Sequence, residues 1–394
     1  MNWFECIALF LVAGVATMLL VPVAKRIAIH FDAIDYPSAR RVNMLPVPRM
    51  GGIALLGGLI VALAVLFVGV GFLGWKNPFV SHPDLNVNYF GVALGVVVIF
   101  FVGALDDVLD LKPKPKLLGQ IIAACIVAAS GVLLSDIRNP FGEGYIEFGW
   151  LAYPITVFYL VAFANVINLI DGLDGLAAGI TAISAATIFV FSVLTGRPDS
   201  AAMSIILFGI CLGFLRYNFN PASIFMGDSG ALLLGFSLGV VSLFAVARSA
   251  LFVSLLVPIL AAGVPIMDTA FAIIRRKRAH RPVDEADRGH IHHRLLEAGF
   301  TQRATVLIMW AWTAALALCA VLITELSGWA RILILVVIAV ITGYGIIKLR
   351  LLQPVLLHHY NPRGKRSGGL AESKEEKKDS DTLTSSDASS QHKG

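Results

Sequence analysis

Long apolar runs return throughout this chain, at about residues 3–24, 51–73, 89–105, 117–135, 150–168, 175–195, 201–217, 229–247, 250–274, 304–325 and 329–349. A hydrocarbon core about 30 Å thick is crossed by about 20 apolar residues in α-helix. Inside lipid every backbone N–H and C=O must pair within the protein, which leaves helices and closed barrels as the only spanning structures. The short alternating segments of a barrel are missing from the sequence. The runs therefore predict an all-α, polytopic integral membrane protein with about eleven transmembrane helices. Composition agrees, with 57% hydrophobic and 14% charged residues against about 45–50% and 25% in soluble domains.

The basic residues orient the spans. Lys25, Arg26, Arg40, Arg41 and Arg49 follow the first run, Lys112, Lys114 and Lys116 follow the third, and residues 275–303 carry eight Lys or Arg. The alternate connections hold little more than Lys76, Arg138, Arg197 and Arg248. By the positive-inside rule the basic loops are cytoplasmic, with the N-terminus outside and the C-terminus in the cytoplasm. No basic n-region precedes the first run, so it reads as a retained helix and not a cleaved signal. Residues 1–360 form the expected transmembrane domain, and 361–394, rich in Ser, Lys, Glu and Asp, a disordered polar cytoplasmic tail.

Charge and cysteines exclude other classes. The excess of 31 Lys and Arg over 26 Asp and Glu, a net +5, suits anionic headgroups. It comes without an aromatic-interleaved basic patch, so nucleic acid is not an expected partner. Cys6, Cys125, Cys211 and Cys319 lie singly inside apolar runs, which indicates neither a disulfide framework nor a cysteine zinc site.

Against this background four polar motifs stand out, and the topology sends all of them to the cytoplasmic face. Asp106 and Asp107 end the third run. The stretch NVINLIDGLDGLAAG places Asn165, Asn168, Asp171 and Asp174 at steps of three, the spacing of one face at a helical start. An intramembrane carboxylate costs about 2.5–3.5 kcal/mol on insertion scales, so a cation, a basic side chain or water must meet these acids. In FLRYNFNPASIFMGDSGALLLG, which begins near Asn218, Asp228 and Ser229 open an apolar helix, as an N-cap or as a hard-cation ligand beside a bound anion. His290, His292, His293 and Arg294 follow in a basic loop whose spacing matches no zinc motif and suits hydrogen bonds to a diphosphate or sugar. Asp268, near the end of the ninth run, either lines the pocket or ties helices together.

Taken together, DYPSARRVNMLPVPRMGG, LDDVLDLKPKPKLLGQ, NVINLIDGLDGLAAG, FMGDSGALLLG and GHIHHRLLEAGF resemble the polyprenyl-phosphate N-acetylhexosamine-1-phosphate transferase family over about residues 35–305. The resemblance implies transfer of N-acetylglucosamine 1-phosphate from UDP-GlcNAc to a polyprenyl (undecaprenyl) phosphate, with release of UMP at the start of cell-envelope glycan synthesis. It implies Mg²⁺, with Mn²⁺ as an alternative, held by Asp228 and Asn168. Asp106, Asp107, Asp171 and Asp174 would be the catalytic acids. Substrate contacts would come from Lys116, Asn165, Asn218, Arg49, His290, His292, His293 and Arg294. The family's setting is the plasma (inner) membrane, and the sequence leaves room for a homodimer. Ile291 interrupts the run of three histidines typical of the phospho-N-acetylmuramoyl-pentapeptide transferase branch, which makes that activity the alternative. From another class, an ion-coupled secondary transporter would carry its acids near the midplane between internal repeats, and no repeat is visible.

Overall fold

The computed structural model describes residues 2–36, 46–79, 87–138, 144–246, 256–278, 290–326 and 328–348. The expected tail at 361–394 with its boundary at 360, and the basic positions Arg40, Arg41, Arg248, Arg281 and Arg288, lie outside them. The architecture is all-helical: α1 (Trp3–His30), α2 (Gly52–Phe72), α3 (Tyr89–Leu109), α4 (Pro113–Ala129), α5 (Ala152–Ile170), α6 (Leu176–Leu194), α7 (Pro198–Asn218), α8 (Gly227–Val246), α9 (Leu256–Ala261), α10 (Gly263–Arg278), α11 (Ile291–Glu297), α12 (Gln302–Glu325) and α13 (Gly328–Lys348). Two small antiparallel ribbons pair Ile34–Asp35 with Val47–Pro48 and Asp136–Arg138 with Tyr145–Glu147. Among the described residues eight helices are long and apolar enough to span a bilayer, namely α1, α2, α3, α5, α6, α7, α8 and α12. The chain is a polytopic membrane protein.

Three of the eleven expected spans are built differently. The fourth starts earlier and is 17 residues long, because Pro113 and Pro115 fit the first turn of a helix and the chain leaves helix at Ser130 and at Gly131, whose φ is +89°. The ninth is broken between α9 and α10. Pro265 has no N–H for the carbonyl of Ala261, and the hydroxyl of Ser184 donates to that carbonyl instead, at 2.6 Å. The last is α13, whose apolar part runs over Trp329–Gly345.

Helix α8 is the axis of the bundle. It is apolar all round, which is the pattern of a helix with no lipid-facing side, and its spanning stretch is completely buried. It packs on α2, α3, α5, α6 and α7. Lipid offers little hydrophobic drive for helices to associate, so close approach between small residues carries the packing. Gly103 of α3 shows this: a Cβ there would lie 2.4 Å from the carbonyl oxygen of Asp228. The α3–α8 contact brings the end of one helix against the start of the other, and the polar motifs meet at that end of the bundle.

Candidate active site

The first turn of α8 is held by an acid from another helix. Asp107 accepts the N–H of Asp228 at 2.7 Å on Oδ1 and the N–H of Ser229 at 3.0 Å on Oδ2. These are two of the donors that a helix N-terminus leaves without intrahelical partners. The N-cap expected of Asp228 is thus supplied in trans. Helix α8 begins one residue earlier, at Gly227 with φ +68°, and the Asp228 side chain is left to face the site. Asp107 and Gly227 are matched in shape, since a Cβ on Gly227 would sit 2.5 Å from Asp107 Oδ1.

Asp228 gathers the rest. Lys116 Nζ, at the start of α4, lies 3.1 Å from Asp228 Oδ1 and 2.9 Å from Asp106 Oδ2. Asn168 of α5 donates its amide to Asp228 Oδ1, while its own oxygen is 3.5 Å from Lys116 Nζ. Asp106 also accepts the N–H of Leu111 at 2.7 Å, which fixes the turn leading to α4. The adjacent acids diverge as neighbouring helical residues must: Asp106 takes the lysine and Asp107 takes the helix.

The steps of three from Asn165 to Asp174 do not continue as one helical face. Helix α5 stops at Ile170, Asp171 caps it, and Gly175 with φ +79° starts α6. Asn165 and Asn168 therefore belong to a helix, and Asp171 and Asp174 to a turn. Asp174 accepts from Asn220 Nδ2 at 2.8 Å and from the Ala222 N–H at 3.0 Å, tying the turn to the loop before α8. Asn218 braces the same junction, accepting the Gly175 N–H at 3.1 Å and donating to the Ile224 carbonyl at 3.0 Å. Asn165 is committed elsewhere, in a reciprocal amide pair with Gln120 of α4 at 2.6 and 3.3 Å.

These elements enclose a cavity of about 380 Å³, within the range of small-molecule sites. Its wall includes Arg49, Asp107, Asn168, Asp171, Asp174, Asn218, Asp228 and His293. Lys116 and Asp106 join through their pairs with Asp228, and Asn165 stands back from the wall. Among the described residues of the basic loop only His293 reaches the cavity. His290 and His292 are buried behind it, and Arg294 lies 3.9 Å from Glu297. Arg49 reaches Asp110 at 3.1 Å. Two polar side chains of the wall, Asp35 and Gln302, are not among the residues the sequence motifs pointed to. Asp35 opens the DYPSARR segment, which was its one signal, and Gln302 had none.

Electrostatically the cavity is an acid-rich site. Burial, together with the carboxylates of Asp228, Asp107 and Asp174, holds the Asp171 carboxyl well above the ordinary carboxylate range, although the rim of its side chain meets the cavity. Burial and the neighbouring histidines hold His292 well below the usual imidazole value, so it is neutral at physiological pH. Among the described residues no three His, Cys, Asp or Glu side chains form a ready metal cage. The carboxylates of Asp106 and Asp228 lie within hydrogen-bond reach of each other across Lys116, with the Asn168 amide against Asp228.

Acids, an amide, a lysine and a histidine thus gather around a cavity at one end of the helices of a polytopic membrane protein. Residues 89–246 match glycosyl transferase family 4. The chain is 36% identical over 331 residues to a probable undecaprenyl-phosphate N-acetylglucosaminyl 1-phosphate transferase of Bacillus subtilis (strain 168), covering 84% of this chain and 88% of that protein. It is 36% identical over 329 residues to the decaprenyl-phosphate N-acetylglucosaminephosphotransferase of Mycolicibacterium smegmatis, covering 78% and 79%. It is 32% identical over 331 residues to the phospho-N-acetylmuramoyl-pentapeptide-transferase of Desulforamulus reducens, covering 78% and 91%. The chain belongs to this family and is a sugar-phosphate transferase.

Proposed function

We propose that the chain transfers N-acetylglucosamine 1-phosphate from UDP-GlcNAc to a polyprenyl phosphate of the undecaprenyl type, at the cytoplasmic face of the plasma membrane. The observation that carries this reading is Lys116 between Asp106 and Asp228, beside Asn168 and the capped start of α8. That arrangement offers one fixed cation and a set of hard oxygens next to a cavity. The relatives named for GlcNAc 1-phosphate transfer support the donor sugar. The distribution of basic loops supports the cytoplasmic side, where a water-soluble nucleotide sugar can meet a lipid phosphate.

The donor set suits Mg²⁺, which is commonly held by one or two carboxylates and by substrate phosphates. An acid-rich cavity repels a diphosphate unless positive charge is added. Asp228 and Asn168 would hold the ion, with Asn168 turning its oxygen toward it. A divalent ion held there would supply positive charge to the diphosphate and to the departing UMP.

The chain's own groups orient the exchange. An oxygen of the lipid phosphate forms a bond to the β-phosphorus of the nucleotide sugar, the bond from that phosphorus to the bridging oxygen breaks, and UMP leaves with the electron pair. The bond between the sugar and its phosphate is untouched, so anomeric configuration persists. One diphosphate is consumed and one is made, so the reaction runs in both directions. Lys116 screens the approach of the two anions, and Arg49 and His293 present donors from the wall. A lipid phosphate is already ionised at neutral pH, so Asp106 and Asp107 serve to hold Lys116 and α8 in place.

The test is release of UMP from UDP-GlcNAc by the purified protein. Release that requires both polyprenyl phosphate and Mg²⁺ is the expected result. Release without lipid, or no release with both present, overturns the reading. In a panel of UDP-sugars, exclusive use of the muramoyl-pentapeptide donor would place the chain in the other branch.

A further inference from the structure

Asp268 is a buried acid to which the transfer mechanism gives no role. It sits in α10 with 1% of its surface exposed, where an unpartnered carboxylate is costly. Both of its oxygens are spent on one neighbouring element. Oδ2 lies 2.9 Å from His290 Nδ1, and Oδ1 accepts the N–H of Ile291 at 2.7 Å. Ile291 opens α11, whose own N-cap residue, His290, makes no side-chain capping bond. The acid does for this short helix from outside what a capping side chain does locally.

The same contact selects a histidine tautomer. A carboxylate oxygen accepts only, so the ring of His290 must carry its proton on Nδ1, leaving Nε2 as the acceptor in the neutral form. The ring is stacked on His292 at 5.6 Å with planes 10° apart, and His292 lies against His293 at 4.3 Å. His292 is braced on its other side by the turn that carries Asp171, since a Cβ on Gly172 would fall 2.7 Å from its Nε2. The series ends at His293 in the cavity wall. Helix α11 has seven residues and lies outside the eight spans, with His293 at the cavity wall.

We propose that Asp268 is a positioning residue: by fixing the His290 ring and the start of α11, it sets where His293 stands and thereby controls use of the nucleotide sugar. The inference rests on the transferase reading above. Asp268→Asn keeps the shape but turns an N–H toward His290, which demands the opposite tautomer. It is expected to lower kcat/KM for UDP-GlcNAc by about 100-fold, the scale of a 1 Å misplacement, and to leave the KM for polyprenyl phosphate unchanged. His290→Gln is expected to lose a similar amount, and the double variant no more than either single one. A double variant whose loss is the product of the two single losses overturns the coupling, and so does an Asp268→Asn variant with wild-type kinetics. Nitrogen NMR of histidine-labelled protein, with His290 assigned by the His290→Gln difference, gives a readout free of turnover. A protonated Nδ1 that changes in Asp268→Asn supports the inference, and a bare Nδ1 in the wild type overturns it. Wild-type protein that releases no UMP refutes the transferase reading, and the tautomer then decides the role of Asp268 alone.

Discussion

Asp107→Asn separates a helix-capping role from a proton-abstracting one. In the wild type two N–H groups at the start of α8 donate to the two oxygens of one carboxylate, at 2.7 and 3.0 Å. A hydrogen bond to a charged group contributes about 1.5–3 kcal/mol, and a negative charge at a helix N-terminus adds about 0.3–1 kcal/mol. Asparagine keeps one acceptor and points its NH₂ at the second donor, so about one such bond is lost. If that loss appears as misplacement of Asp228, the rate falls about 10- to 100-fold at 1.36 kcal/mol per decade. UMP release is measured with both substrates saturating, across pH. A capping role predicts a uniform loss with the shape of the pH profile unchanged. Gly227→Ala should reproduce that loss with the carboxylate intact, because the added carbon would meet Asp107 Oδ1 at 2.5 Å at a residue whose φ is +68°. A variant profile that loses one limb, with Gly227→Ala fully active, would refute the reasoning and make Asp107 the base.

Three further outcomes follow from the same geometry. Lys116→Met removes the cation shared by Asp106 and Asp228, and UMP release should drop by more than about 100-fold, since two hydrogen bonds to charged groups, about 1.5–3 kcal/mol each, are lost together. Asn165→Leu leaves the Gln120 amide unpaired between α4 and α5, and thermal unfolding in detergent should show a loss of about 1–3 kcal/mol that Gln120→Met on the same background largely restores. Asp171→Asn should inactivate the enzyme yet stabilise the metal-free protein at neutral pH. The folded state holds the Asp171 proton more tightly than the unfolded chain does, so the stabilising contribution of this group is complete below the unfolded carboxylate pKa and is lost as pH rises through the folded one. The melting advantage of the variant should therefore grow with pH and vanish in acid.

Apolar run length made the helices readable, and insertion cost made the intramembrane acids conspicuous before any geometry was known. Asp106, Asp107, Asn168 and Asp228 met as their spacing and the loop charges suggested. What the sequence hid were properties of contacts between distant segments. An N-cap motif at Asp228 looks local, yet its cap comes from Asp107, and nothing in either segment records that Gly103 lets the two helices approach. The steps of three from Asn165 to Asp174 gave no warning that Gly172 and Gly175 convert half of them into a turn. Asn165 carried the same residue type as Asn168 on the same helix, and only the position of Gln120 separates a packing amide from one at the site. The ninth run counted as one span by its apolar length, yet Pro265 breaks it, and the Ser184 hydroxyl that satisfies the freed carbonyl sits far away in sequence.

The account depends on Asp228 of α8 and Asn168 of α5 holding a divalent ion against a phosphorylated substrate. Mn²⁺ bound in place of Mg²⁺ is read directly by electron paramagnetic resonance. With UDP-GlcNAc present, the wild-type signal should carry phosphorus coupling that disappears in Asp228→Asn while substrate binding persists. A manganese signal without phosphorus coupling, or one that Asp228→Asn leaves unaltered, would contradict it.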